Sequence, residues 1–69
     1  MKVIDARGLA CPEPVVRVQK GIQTDPEGVC VTVDNFAAVE NISRFAKARG
    51  YAVEKKEEGT DTTLTLAKA

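Results

Sequence analysis

The residues best suited to chemistry lie in one short segment, residues 7–14, which reads Arg-Gly-Leu-Ala-Cys-Pro-Glu-Pro. Cys11 is the nucleophile of this segment, and Pro12 and Pro14 follow it closely. Proline is favoured in the first turn of a helix because its missing N–H would be unpaired there anyway. We therefore expect a helix to begin just after Cys11. That position puts a thiol at the positive end of a helix dipole, which favours the reactive thiolate.

Two starting points for this helix are open. If Cys11 is the N-cap, the Glu13 amide is the donor that faces the sulfur, since Pro14 has no N–H. If Pro14 is the first helical residue, the donors are the amides of Val15 and Val16. The second start is favoured, because a proline disfavours helical backbone angles in the residue before it. For Pro14→Ala we expect a loss of about 1 kcal/mol of stability, since alanine gives the unfolded chain more entropy.

Charged neighbours of the thiol act in opposite directions. Arg7 favours the thiolate and the Glu13 carboxylate disfavours it, while Asp5 either orients Arg7 or simply ends a strand. The chain has no histidine to shuttle a proton. Such a thiol suits attack on sulfur and sulfur carriage better than a full hydrolytic cycle, and it needs no cofactor. The alternative, equally open from the residues alone, is that Cys11 is a small apolar residue buried near a helix start.

Two further basic residues belong to the same predicted helix. Arg17 and Lys20 share a helix face with Glu13, and Glu13 and Arg17 have the i,i+4 spacing of an ion pair. A solvated charged face is the favoured interpretation of these three residues. The alternative is a docking patch beside the thiol, at which a partner protein binds.

The second cysteine is not expected to take part in the chemistry. Cys30 alternates with Val29 and Val31 in a strand pattern, so it should point away from the helices. A disulfide with Cys11 is not expected either, because bridging needs Cα atoms within about 7 Å. Two cysteines are also too few for a structural zinc site, and their spacing is not that of a redox pair, so no metal is expected.

Composition narrows the class of protein. The chain has 69 residues, which is the size of one domain, so we expect a single domain over residues 1–69. Ten basic and ten acidic residues give a net charge of zero, which argues against direct nucleic-acid binding. The N-terminal sequence fits neither a signal peptide nor a membrane span, and the sparse cysteines suit a reducing compartment. We therefore expect a cytoplasmic protein.

Periodicity predicts the elements that must position the thiol. Strands are expected over 2–6, 29–34, 51–57 and 60–67, and Gly8 ends the first of them in a turn. Helices are expected over 14–24 and from a cap at Asp34 or Asn35 to about Arg49, with Gly50 in the C′ position. This β-α-β-α-β-β order predicts an α+β two-layer sandwich: a mixed four-stranded sheet with two helices on one face.

The whole chain resembles the TusA/SirA/YedF family of small sulfur-carrier proteins. The likeness is carried by residues 5–14, with Cys-Pro-x-Pro at the head of the first helix, and residues 33–51 are most similar to the N-terminal domain of YedF-type proteins. It implies a two-layer sandwich like the C-terminal domain of translation initiation factor three. It also implies that Cys11 carries a persulfide and that Pro12 and Pro14 are the motif prolines.

The resemblance also implies partners. TusA accepts sulfur from a cysteine desulfurase and passes it along a relay towards tRNA thiouridine. YedF-type proteins are associated with selenium or sulfur metabolism and usually carry a DsrE-like second domain. By resemblance, this chain takes sulfur from a desulfurase or another persulfide donor and hands it to an acceptor, for which a DsrE-like domain is one candidate. It would be a sulfurtransferase component more than a self-contained enzyme.

Two hypotheses of other classes stand beside the sulfur carrier. The first is a non-catalytic interaction or regulatory module, in which the same fold docks a partner and Cys11 is structural. The second is a cysteine that senses peroxide or thiols, which usually needs a resolving thiol nearby. Cys30 is badly placed for that role.

Overall fold

Four strands and two helices follow one another in the computed structural model, which describes residues 1–10 and 12–69. They are β1 (Lys2–Asp5), α1 (Glu13–Thr24), β2 (Gly28–Val33), α2 (Phe36–Ala48), β3 (Tyr51–Glu58) and β4 (Asp61–Lys68). The predicted element order is confirmed, and every observed boundary lies within one or two residues of the predicted one.

The strands form one mixed sheet in the order β1-β2-β4-β3. β1 and β2 are parallel, whereas β4 is antiparallel to both β2 and β3. A parallel pair needs a crossover connection, and α1 supplies it between β1 and β2. The two helices cover one face of this sheet, so the predicted mixed four-stranded sheet with helices on one face is confirmed.

The core lies between the helices and the sheet and is built from aliphatic side chains. Strand alternation places Val29, Val31 and Val33 of β2 on the helix side, where all three are fully buried. They meet Leu64 and Leu66 of β4, which are also fully buried. Each such side chain contributes about 1.5–3 kcal/mol by leaving water. The sheet is therefore a rigid platform for the segment that follows β1.

The helix ends show local chemistry that agrees with the predictions. The Asn35 side chain caps α2 by accepting a hydrogen bond from the Ala38 amide at 2.8 Å. Gly50 follows α2 with a φ of +83°, as a glycine in the C′ position does. Tyr51, the first residue of β3, is buried and donates its hydroxyl hydrogen bond to the Pro26 carbonyl. Together these contacts fix the α2–β3 unit against the turn before β2.

Candidate functional site

Three connections meet at one end of the sheet, which we call the loop end. β1 and β2 are parallel, so the segments that leave their carboxyl ends, which begin at Ala6 and Asp34, start side by side. The β3–β4 turn lies at the same end, because Thr63 near the start of β4 pairs with Thr32 near the end of β2. Carboxyl ends of neighbouring parallel strands are common positions for binding and catalytic sites.

The segment that contains Cys11 is anchored to the loop end on its N-terminal side. The Ala6 amide donates to the Thr32 carbonyl at 2.9 Å and continues the β1–β2 pairing. The Gly8 amide then donates to Asp34 Oδ2 at 2.8 Å. Gly8 has a φ of +76°, a backbone conformation that residues with a Cβ rarely adopt. Cys11 itself lies outside the described residues, so the site is built from the residues around it.

Arg7 is held by two carboxylates. Its Nε lies 2.9 Å from Asp5 Oδ1 and its Nη2 lies 2.9 Å from Asp5 Oδ2, which is a two-point pair. Its Nη1 lies 3.3 Å from Asp61 Oδ2. Asp5 therefore orients Arg7, which is one of the two interpretations that the sequence allowed. These carboxylates compensate the guanidinium charge, which weakens the electrostatic stabilisation that Arg7 can give to a thiolate.

The same contacts change the acidity of Asp5. Hydrogen bonds from the Arg7 side chain and then from the Arg7 amide lower the pKa of Asp5 to about 2. The carboxylates of Asp5 and Asp61 in turn raise the pKa of Arg7. Both groups of the Asp5–Arg7 pair are more than half exposed, so the pair orients a side chain more than it stabilises the fold.

We expect the Asp5 carboxyl to titrate near pH 2 in the native protein and to return towards its ordinary pKa of about 3.9 in Arg7→Gln. The lowered pKa means that the pair's stabilisation is present above about pH 4 and is lost as the pH falls through about 2. Carbon-detected NMR titration of the Asp5 carboxyl measures both values. An unchanged pKa in Arg7→Gln would show that the pair does not form in solution.

The start of α1 differs from both predicted starts. Glu13 is the first helical residue, Pro12 is the N-cap, and Pro14 is in the second helical position. The Glu13 amide donates to the Ala10 carbonyl at 2.9 Å, so it is not free to face a sulfur atom as the first predicted start required. The cause is this hydrogen bond between Glu13 and Ala10, which holds Glu13 in helical geometry despite the proline that follows it.

The first-turn amides are therefore only partly available. The Val16 amide donates to the Pro12 carbonyl at 3.1 Å, which is the first bond of the helix ladder. Pro12 is exposed, whereas Pro14 is fully buried. For Pro14→Ala the structure therefore leads us to expect more than the loss of about 1 kcal/mol predicted from sequence, because the substitution also removes buried ring carbons.

The predicted ion pair on α1 is confirmed. Arg17 Nε lies 3.5 Å from Glu13 Oε2, and both side chains are about half exposed. Arg17 and Lys20 lie on the flank of α1 that faces β1, where they line a groove together with residues of that strand. The docking-patch interpretation of these residues stays a prediction.

Three residues of the loop end were not recognised as part of the site from sequence. Asp34 was considered as a helix cap, but Asn35 does the capping and Asp34 binds the Gly8 amide. Asp61 binds Arg7 from the start of β4. Phe36, the first residue of α2 at this end, is 76% exposed.

Cys30 is placed as predicted. It is half-buried in the middle of β2, on the sheet face away from the helices, and is a free cysteine. Its Sγ lies 3.9 Å from Thr65 Oγ1 of β4. Among residues 1–10 and 12–69, no group of three or more acidic or cysteine side chains is arranged to hold a metal ion. No helix in the same residues is long and apolar enough to cross a membrane.

Comparison with known proteins places this fold and segment in a family. Residues 2–68 match the family described as sulfurtransferase TusA. The chain also resembles a SirA-like protein of Desulfitobacterium hafniense whose crystal structure is known, with a TM-score of 0.88 and 32% identity. That likeness covers 97% of this chain and 96% of the other. The chain belongs to the TusA/SirA family.

Curated relatives agree with this assignment. A protein of Methanocaldococcus jannaschii is 42% identical over 60 residues, which are 84% of this chain and 80% of the relative. A Bacillus subtilis protein is 34% identical over 84% of this chain and 81% of its own length. An Archaeoglobus fulgidus protein is 36% identical over 86% of this chain and 83% of its own length. All three are described as "Putative sulfur carrier protein".

Proposed function

We propose that this protein is a sulfur carrier that holds sulfur as a persulfide on Cys11. The observation that carries the proposal is its membership of the TusA family together with the Cys-Pro-x-Pro segment at the start of α1. In this proposal a cysteine desulfurase or another persulfide protein is the donor. The acceptor is a second protein, for which a DsrE-like domain is the leading candidate, and the relay runs in the cytoplasm, where thiols stay reduced.

The chemistry is a sulfur transfer without net oxidation. The Cys11 thiolate attacks the outer sulfur of the donor persulfide and forms a new S–S bond. The S–S bond of the donor breaks, and the donor cysteine leaves as a thiolate. The transferred sulfur keeps its proton, so this protein gains one sulfur and the donor loses one. The second transfer repeats the step, with the Cys11 persulfide as donor and a thiolate of the acceptor as nucleophile.

The described residues support this chemistry in two ways. The helix N-terminus that begins at Glu13 favours an anionic sulfur just before it. Neither neighbouring charge dominates: Arg7 is paired with Asp5 and Asp61, and Glu13 is paired with Arg17. Because both side-chain charges are compensated, we assign the stabilisation of the sulfur anion to the helix dipole and to the amide of Val15.

The test is mass spectrometry of the protein after incubation with a cysteine desulfurase and cysteine. The expected result is a gain in mass of one sulfur atom that a thiol reductant removes. A rhodanese-type persulfide donor provides a second arm that does not depend on recognition by the desulfurase. Absence of a reductant-removable adduct with both donors would contradict the carrier and support the interaction module.

We expect Cys11 to react faster than Cys30 with iodoacetamide at neutral pH. The helix start should raise the thiolate fraction of Cys11, whereas Cys30 is half-buried in the sheet beside Thr65. Peptide mapping after timed alkylation of the folded protein gives both rates in one sample. Equal rates in the folded protein would show that the start of α1 does not activate the thiol.

A further inference from the structure

β1 leaves one side of its backbone unpaired. It is an edge strand, since the sheet order is β1-β2-β4-β3 and no described strand lies beyond it. The Ala6 amide donates to the Thr32 carbonyl of β2. In a parallel pair, the residues that bond the neighbouring strand alternate with those that do not. Ala6 and Ile4 therefore turn their backbone groups to β2, and Val3 and Asp5 turn theirs outward.

A groove of about 400 Å³ runs along this free edge, between β1 and α1. Its α1 wall is formed by Arg17, Lys20, Gly21 and Thr24, whose spacing puts them on one helix face. Gly21 lets α1 approach β1 closely, because a Cβ there would lie 2.8 Å from Ile4 Cδ1 and would require that side chain to shift. The longer side chains of Arg17 and Lys20 line the groove beside this close approach.

The side chains that line this groove carry an excess of positive charge. They include three cations, Lys2, Arg17 and Lys20, and one anion, Asp5, which is already paired with Arg7. Within residues 1–10 and 12–69, neither Lys2 nor Lys20 has a carboxylate within ion-pair distance. Arg17 is paired with Glu13, so the uncompensated charges are the ammonium groups of Lys2 on the strand side and Lys20 on the helix side. The groove therefore offers outward backbone groups along β1 and one such ammonium group on each wall.

We propose that this groove binds an extended acidic segment of the sulfur donor protein, which adds to β1 as a fifth strand. Such a segment exchanges backbone hydrogen bonds with Val3 and Asp5, and its acidic side chains on the helix side face Arg17 and Lys20. The identification of the partner as the sulfur donor rests on the function proposed above. It follows from position, because β1 and α1 are joined by residues 6–12, which contain Cys11.

A second basic groove, between α2 and β3, is the competing surface. It is lined by Arg44, Lys47 and Lys55 together with Glu40. β3 is the other edge of the sheet, but its run of charged side chains over residues 54–58 opposes the addition of a strand. This groove is also not joined to the segment that contains Cys11. It provides the matched control for the β1 groove.

The test is NMR titration of the Cys11→Ser protein with a short synthetic peptide of alternating glutamate and threonine. We expect the largest amide shifts at Val3 and Asp5, and slower hydrogen exchange of the same two amides when peptide is bound. Lys20→Glu should weaken binding by about tenfold, because it replaces attraction by repulsion, and should favour a peptide with lysine in place of glutamate. Lys47→Glu is the control and should bind like the parent protein.

The backbone contact has its own variant. Val3→Pro removes an outward N–H without touching the bonds to β2, and an edge strand tolerates proline. It should weaken peptide binding while the sheet amides of β2 and β4 keep their shifts. Shifts centred on β3, loss of binding in Lys47→Glu rather than Lys20→Glu, or no shifts at millimolar peptide would each overturn the proposal. Because the titration uses Cys11→Ser, its outcome is independent of whether Cys11 carries sulfur.

Discussion

Cys11→Ser is expected to abolish the reductant-removable sulfur that a cysteine desulfurase adds to this protein. A hydroxyl at neutral pH is far less nucleophilic than a thiolate and cannot hold sulfur as a persulfide. The loss should therefore be complete rather than partial. The measurement is intact-protein mass spectrometry at several times of incubation, with the same desulfurase and cysteine for every variant.

Cys30→Ser is the matched control for this substitution. Cys30 lies half-buried in β2 beside Thr65, and serine fits a position whose neighbour across the strand pair is a hydroxyl. We expect Cys30→Ser to load sulfur like the parent protein and to melt within a few degrees of it. Thermal melting of both variants shows that each is folded before its loading is compared.

One outcome of these measurements would change the residue to which we assign the carried sulfur. An adduct that persists in Cys11→Ser and disappears in Cys30→Ser would place the carried sulfur on the open face of the sheet. The segment at the start of α1 would then be a structural feature of the fold. An adduct that persists in both single variants would indicate loading without site selectivity, which also contradicts the proposed carrier.

The fold was predictable because its main signals are local or periodic. The alternation of valines in β2 placed Val29, Val31 and Val33 on one face, and all three are fully buried there. The cap at Asn35 and the glycine at Gly50 bracket α2 as such residues usually do. These patterns depend on a few neighbouring residues, so they can be interpreted without knowing the tertiary contacts.

The start of α1 was not predictable in the same way. Two prolines gave conflicting signals, and the outcome depends on the hydrogen bond from the Glu13 amide to the Ala10 carbonyl, which accompanies Glu13 as the first helical residue. The burial of Pro14 is a tertiary property. A proline near a helix start is ordinarily expected at the surface, and no spacing rule indicates that this one packs against the core.

The site was predictable only where its partners are close in sequence. Asp5 and Arg7 are two residues apart, and Glu13 and Arg17 are four apart, so both pairs are local. The contact from Asp34 to the Gly8 amide spans 26 residues, and that from Asp61 to Arg7 spans 54. The remaining contacts depend on the sheet order, which brings β2 and β4 to the same end as the segment after β1.

The two motif prolines differ in burial, because Pro12 is exposed and Pro14 is buried. This difference decides which substitution tests whether the prolines position the thiol. Pro14 is fully buried in the second position of α1, so Pro14→Ala removes packing as well as rigidity. Two lost ring carbons cost about 1.6 kcal/mol at about 0.8 kcal/mol for each buried methylene, and the entropy of the unfolded chain adds up to about 1 kcal/mol. We expect Pro14→Ala to lose about 2–3 kcal/mol, measured by urea denaturation.

Substitution of Pro12 is the better test of whether the Cys-Pro-x-Pro motif positions the thiol. It is exposed at the N-cap of α1, so Pro12→Ala removes little packing and should cost less than about 1 kcal/mol. A proline also restricts the backbone of the residue before it, and in this chain that residue is Cys11. Alanine releases this restriction, and a displacement near 1 Å of a reacting group lowers a rate by about a hundredfold.

The expected result for Pro12→Ala is therefore a dissociation between stability and transfer. Its thermal midpoint should stay close to that of the parent protein, while single-turnover loading by desulfurase persulfide should slow by about a hundredfold. Pro14→Ala serves as the comparison, because it lowers the midpoint through packing and is measured under conditions where it remains folded. If Pro12→Ala loads at the parent rate, the prolines only start the helix, and the orientation of the sulfur must come from the Gly8–Asp34 anchor instead.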